Sequence, residues 1–169
     1  MELQTAQKLE GLKDTARVWI YQADRALTDD EVMFINEQMT HFIGEWAAHG
    51  KQLFAAFELK YNRFLILGAD ESMAAATGCS IDSSVHFVTD LGLKLSIDFF
   101  DRMQVAYKTE KGIETLHLTE FEKAVKSEKL NAESVVFNNL VSNIGEFKTS
   151  WEVALKNSWH ARYLLFTPK

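Results

Sequence analysis

The sequence predicts an α+β fold of the ferredoxin-like kind, a split βαββαβ antiparallel sheet with both helices on one face, extended by a fifth strand and C-terminal helices. Three observations point there. Apolar spacing switches between the two-residue period of strands and the three- and four-residue steps of helices in the order β, α, β, β, α, β. Two Ser/Thr-x-x-Glu capping boxes, Thr28-Asp29-Asp30-Glu31 and Thr119-Glu120-Phe121-Glu122, mark helix starts. A single proline, Pro168, and eight scattered glycines leave no linker. The 169 residues are therefore expected as a single domain, with a core over about 15–108 and an extension over about 109–169.

Residues 17–23 (RVWIYQA) alternate Val18 and Ile20 with Trp19 and Tyr21, a strand with apolar groups on both sides. After Thr28, the recurrence of Val32, Ile35, Met39, Phe42, Ile43 and Trp46 predicts a helix to about Ala48, stopped by Gly50. Residues 53–61 and 64–69 read as a hairpin turned through Asn62-Arg63 without the usual glycine. Past Asp70-Glu71-Ser72, the pattern Val85, Phe87, Val88, Leu91, Leu93 and Leu95 gives a second helix, and residues 101–108 a fourth strand. Gly112 marks a turn into a fifth strand over 113–118, and the Thr119 box opens a short helix ending near Leu130.

Between Ser134 and Leu155 the residues Phe137, Leu140, Val141, Ile144, Phe147, Trp151 and Ala154 fit a helical stripe. Gly145 and the Asn138-Asn139 pair leave a strand around 135–141 as the alternative. Trp151, Trp159, Tyr163 and Phe166 imply that the C-terminal segment docks. Trp19, Tyr21, Phe54 and Tyr107 are expected on the second face of the sheet, covered by that segment or by a second subunit.

Charge and cysteine content narrow the function. With 18 Lys plus Arg against 24 Asp plus Glu, and no basic run, binding to a phosphate backbone is disfavoured, and the Lys/Arg-Gly-aromatic core of an RNA-recognition motif is missing. No apolar run reaches membrane-spanning length, and MELQTAQKLEGLKD has no signal-peptide core, so a cytoplasmic protein with neither nucleic-acid nor membrane partner is expected. One cysteine forms no internal disulfide and no zinc site is expected. Residues 44–52 (GEWAAHGKQ) fail as a phosphate loop. Five residues separate the glycines instead of four, Gln52 stands where a Mg²⁺-binding hydroxyl belongs, and the segment ends a helix instead of starting one.

The candidate chemistry centres on residues 77–87, TGCSIDSSVHF. A glycine turn entering a helix places the Cys79 thiol near unpaired amides that favour a thiolate. His86, seven positions on, rises roughly 10 Å along a helix and cannot serve Cys79 as a base. Cys79 and Asp82 are the candidate catalytic residues. Asn62, Arg63, Asp70, Glu71, Ser80 and Arg102 are candidate binding residues that the ends of the sheet could gather around the Cys79 turn, the arginines clamping a small anion. The plainer assignments are a buried structural Cys79, with Ser80 and Asp82 as helix caps.

The segments Tyr61-Asn62-Arg63-Phe64, Asp70-Glu71, Gly78-Cys79-Ser80-Ile81-Asp82, Asp98-Phe99-Phe100-Asp101-Arg102, Phe137-Asn138-Asn139-Leu140-Val141 and Ser158-Trp159-His160 carry a resemblance over nearly the whole chain. It resembles a bacterial family whose members are loosely labelled ABC transporter ATPase. The resemblance implies a small, stand-alone cytoplasmic protein without an assigned activity. The ATPase label does not transfer, because the phosphate loop is missing. Two functions are expected in order: a non-enzymatic binding or interaction module that self-associates, and a small hydrolase using the Cys79 turn with no cofactor specified.

Overall fold

The computed structural model describes residues 8–48, 51–71 and 76–166. The chain divides into two compact units, Met1–Phe100 with Ser142–Gly145, and Asp101–Val141 with Glu146–Lys169. It is an α+β protein with antiparallel sheets. The division falls after Phe100, where the sequence suggests a single domain with its core running on to about 108.

In the first unit a 3-10 turn at Leu9–Gly11 precedes β1 (Arg17–Gln22), α1 (Asp29–Glu45), a two-residue ribbon of β2 (Ala47–Ala48) with β3 (Lys51–Gln52), the hairpin β4 (Phe54–Lys60) and β5 (Phe64–Asp70), and α2 (Gly78–Leu95). The three-stranded sheet has the order β1-β5-β4, with Val18 opposite Gly68 and Phe57 opposite Leu67. Both helices pack on one face, where Ile35, Met39, Ile43, Val88 and Leu91 meet Tyr21, Leu65, Leu67 and Ala69. Phe64, Leu65, Ile66 and Leu67 have no exposed surface, so β5 is buried on both faces. Each such side chain contributes about 1.5–3 kcal/mol of burial.

Three expectations are corrected here. Trp19 and Tyr21 lie on the helix-packed face, with Trp19 edge-on to Trp46 at 5.8 Å, so they do not form an aromatic surface on the other side. That other face is met by the N-terminal turn, where Leu9 and Leu12 lie so close to Gly68 that a side chain there would collide with them. The expected fourth strand, β6 (Gln104–Thr109), pairs with β7 and β8 in the second unit and not with β1. The free edge of β1 is taken by residues 142–144: Val18 N donates to Ser142 O at 3.0 Å, Ile144 N donates to Ala16 O at 2.9 Å, and Arg17 bridges Asn143.

The helix ends follow their chemistry. Thr28 Oγ1 accepts from Glu31 N while Glu31 Oε1 accepts from Thr28 N, which completes the predicted capping box. α1 stops at Glu45, earlier than expected, because Trp46 turns extended and its carbonyl accepts from Leu53 N at 2.8 Å. The expected stop at Gly50 lies outside the described residues.

The second unit holds a four-stranded sheet of order β7-β6-β8-β9, formed by β6, β7 (Gly112–His117), β8 (Val135–Phe137) and β9 (Glu152–Ala154). Further along lie α3 (Leu118–Lys126), α4 (Ile144–Ser150), whose first two residues count with the first unit, and 3-10 turns at Leu155–Asn157 and Trp159–Phe166, the last elements among the described residues. Gly112, at φ 127°, makes the hairpin turn that a side chain would strain. α3 is capped by His117, whose Nδ1 accepts from Thr119 N at 3.2 Å, so the expected Thr119 box does not form. Within 134–155 the strand alternative holds for Val135–Phe137. Asn138 Oδ1 then accepts from Leu140 N and breaks the helical stripe. Phe121, Val125, Val136, Leu155 and Tyr163 form this unit's core.

Candidate functional site

The residues singled out by sequence lie at opposite ends of the first unit's sheet, and one lies in the second unit. β5 runs from the hairpin turn at Asn62-Arg63 to Asp70, seven residues or roughly 20 Å. Asn62 and Arg63 therefore do not join Asp70, Glu71, Cys79, Ser80 and Asp82 in one pocket. Arg102 belongs to the second unit, exposed in the turn before β6.

At the Asp70 end, α2 begins with Thr77 as its cap. Thr77 Oγ1 accepts from Ser80 N at 3.2 Å, and Ser80 Oγ accepts from Thr77 N at 2.7 Å, so Ser80 is buried as a capping residue. The Ser80 carbonyl accepts from Trp46 Nε1 at 2.8 Å, which ties the start of α2 to the end of α1. Cys79 is exposed, contrary to the plainer assignment of a buried thiol, and Asp82 is exposed on the helix and caps nothing. Glu71 pairs with Arg17 at 3.3 Å, and Arg17 also lies 4.9 Å over the Trp19 ring. Among the described residues no group of three or more His, Cys, Asp or Glu is placed to hold a metal.

The other end is more tightly built. Three segments meet there through main-chain bonds: Ala23 N donates to Arg63 O at 2.7 Å, Leu27 N to Asn62 O at 2.7 Å, and Asp24 N to Asp98 O at 3.0 Å. Arg25 donates from Nη1 and Nη2 to the two Glu31 oxygens at 2.8 and 2.7 Å, and from Nη2 to Leu95 O at 2.8 Å, where a cation suits the α2 C-terminus. The Arg25 guanidinium and the Thr28 amide hold Glu31 down to about 2.

Arg63 sits among these groups with 9% of its surface exposed, and its Nη1 has no hydrogen-bond partner. Burial pushes its guanidinium below the ordinary value, and the Asp24 carboxylate acts through space in the opposite direction. Arginine stays charged in proteins, so this is a buried cation with one orphaned donor. The turn that carries it has type I′ backbone. Tyr61 and Asn62 lie at φ 56° and 50°, and Arg63 N closes the turn onto Lys60 O at 3.1 Å. Asparagine tolerates that conformation, but tyrosine seldom adopts it. Tyr61 and Phe100 are both exposed at this end, and the Phe100 ring meets Tyr21 edge-on at 5.6 Å.

The second unit buries a Ser-His contact that sequence reasoning passed over. Ser158 Oγ and His160 Nδ1 are hydrogen-bonded at 2.7 Å, with His160 stacked on Trp159 at 3.8 Å and edge-on to Phe121 at 5.4 Å. Burial first, and the Arg162 charge second, bring His160 down to about 4. A catalytic triad sets an acid beside its histidine, whereas the charge acting here is positive. The pair is a neutral element of the core. The Ser158-Trp159-His160 run was its only sequence signal. Arg25 had none, since its partners Glu31 and Leu95 meet it only through the fold.

Fold and site together define an α+β protein of two compact units, with a buried, partly unpartnered arginine at one end of the first. Comparison of the chain with family models, with curated proteins and with solved structures gives no match.

Proposed function

We propose that the protein is a non-enzymatic binding or interaction module that associates with copies of itself. The observation that carries this reading is the turn end of the first unit, where Tyr61, Leu93 and Phe100 are exposed. Leu93, near the end of α2, is 75% exposed, and Met33, in the second turn of α1, is 70% exposed. Since α1 starts and α2 ends at the Arg25–Leu95 contact, these side chains belong to the same end. Apolar groups gathered at one end are typical of contact surfaces.

The first unit reads as a relative of the split βαβ motif. The order β1-β5-β4, both helices on one face, and residues 142–144 on the edge where a fourth strand would lie support that reading. The family resemblance remains one of sequence motifs and adds no activity. The acidic balance of −6 favours a module without a nucleic-acid partner.

Sedimentation equilibrium across a concentration series tests the association. The wild type is expected to sediment as an oligomer, and Leu93→Lys with Met33→Lys to shift it to monomer with unchanged circular dichroism. A wild type that stays monomeric at about 100 μM, a concentration at which even weak specific contacts are populated, removes self-association from the reading.

A further inference from the structure

We propose that Arg63 anchors a binding site for a carboxylate-bearing ligand at the turn end of the first unit, which deepens the binding-module reading and rests on it. A buried guanidinium keeps its charge, and a buried cation with a donor left unpaired is costly to a fold. Asp24 acts on it through space, and Nη1 has no hydrogen-bond partner. A water molecule would satisfy the N–H but leave the charge, whereas an anion does both.

The turn beside it fixes the place of the guanidinium. Tyr61 and Asn62 hold the left-handed backbone of a type I′ turn, at φ 56° and 50°, immediately before Arg63, and Arg63 N closes it onto Lys60 O. Tyr61 and Asn62 are exposed, so the turn is the side from which a ligand would approach Arg63.

The neighbouring charges choose the anion. Asp24, Asp98 and Glu31 share this end of the sheet, and the chain carries a net −6. A doubly charged phosphate is repelled by them, while a singly charged, planar carboxylate matches the guanidinium fork. The exposed Tyr61 and Phe100 rings add apolar surface for the body that bears it. An aromatic carboxylic acid and the free C-terminus of a hydrophobic peptide share this chemistry.

Thermal unfolding in sodium benzoate, in a hydrophobic pentapeptide with a free or an amidated C-terminus, in inorganic phosphate and in chloride of equal ionic strength provides the test. The wild type is expected to gain about 2–4 °C in Tm with benzoate or the free-acid peptide near saturation, and nothing in chloride. A stronger response to the free-acid peptide than to benzoate assigns a peptide terminus, and the reverse assigns a small acid. Arg63→Met is expected to melt no lower than the wild type without ligand and to lose the response.

Three results overturn the proposal: no shift with either carboxylate, a shift with phosphate alone, or a response retained in Arg63→Met. Should Arg63→Met not fold, the Arg63 Nε resonance of the wild type decides, since it must move with benzoate and stay fixed in chloride. A monomer that keeps the benzoate response counts against self-association alone. An oligomer that lacks it counts against this site alone.

Discussion

Arg25 and Glu31 meet through two parallel hydrogen bonds of 2.8 and 2.7 Å, and the same guanidinium reaches Leu95 O at 2.8 Å. One side chain thus joins the first turn of α1 to the last turn of α2 beside the hairpin that carries Arg63. Glu31 is mostly covered, whereas Arg25 is 42% exposed, so the pair is partly screened by solvent.

A double-mutant cycle on Arg25→Met and Glu31→Gln is expected to give a coupling of about 1 kcal/mol in denaturant unfolding. The folded carboxyl titrates near 2 against 4.5 unfolded, so its contribution is fully present above pH 4.5 and is lost as the pH falls toward 2. Glu31→Gln removes that acid-side slope. A slope unchanged in the variant would mean that Arg25 does not hold Glu31 ionised.

His160 produces a slope at higher pH. Its folded value of about 4 lies below the ordinary 6.5, so between those values the unfolded chain binds the proton and the folded chain does not. The His160 contribution to stability is therefore fully present above pH 6.5, falls by about 3 kcal/mol as the pH drops from 6.5 to 4, and changes no further below, where the loss from Glu31 takes over. Urea unfolding followed by tryptophan fluorescence at half-unit pH steps measures it, and His160→Gln is expected to abolish the fall over that range.

Gly92 and Ser96 close α2 in opposite senses. A Cβ on Gly92 would collide with Ile97 O, so Gly92→Ala is expected to lower stability by about 1–3 kcal/mol despite the better helix propensity of alanine. Ser96 adopts φ 55° and ψ 47°, a conformation glycine takes without strain, so Ser96→Gly is expected to raise stability by about 1 kcal/mol. Chemical unfolding of the two variants checks both signs.

Leu12 is 3% exposed and reaches over Gly68 on the face of the sheet away from the helices. Leu12→Ala is expected to cost about 2–4 kcal/mol, as a buried core leucine does. A loss below half a kcal/mol would place the N-terminal turn outside the folded unit.

Cys79 is exposed in the first turn of α2, so a thiol reagent is expected to titrate about one equivalent in the native protein without denaturant. Titration only after unfolding would return Cys79 to the core.

The local elements of the first unit could be read from sequence because their determinants are local. Thr28 and Glu31 lie three residues apart and complete their box in the structure, and the stripe of Ile35, Met39 and Ile43 faces the core as its spacing requires. Asn62-Arg63 falls in the hairpin turn as expected, although the left-handed backbone extends back to Tyr61, where no sequence preference announces it. Asn138 ended the helical stripe through an Asx turn, which periodicity alone does not weigh.

Sequence by itself determined the α+β class, the first capping box, the course of β1, β4, β5 and α2, the start of α1 and the acidic balance, since each depends on neighbours within a few residues. Tertiary structure decided which sheet β6 joins, what covers each face of β1, and which candidate residues share an end of the fold. Strand pairing is chosen among edges far apart in sequence, and β6 meets Val136 through Tyr107 in place of β1. The same reason hid the buried charge of Arg63, because a turn arginine is ordinarily exposed, and here Ala23 and Leu27, far away in sequence, bond to the turn that carries it.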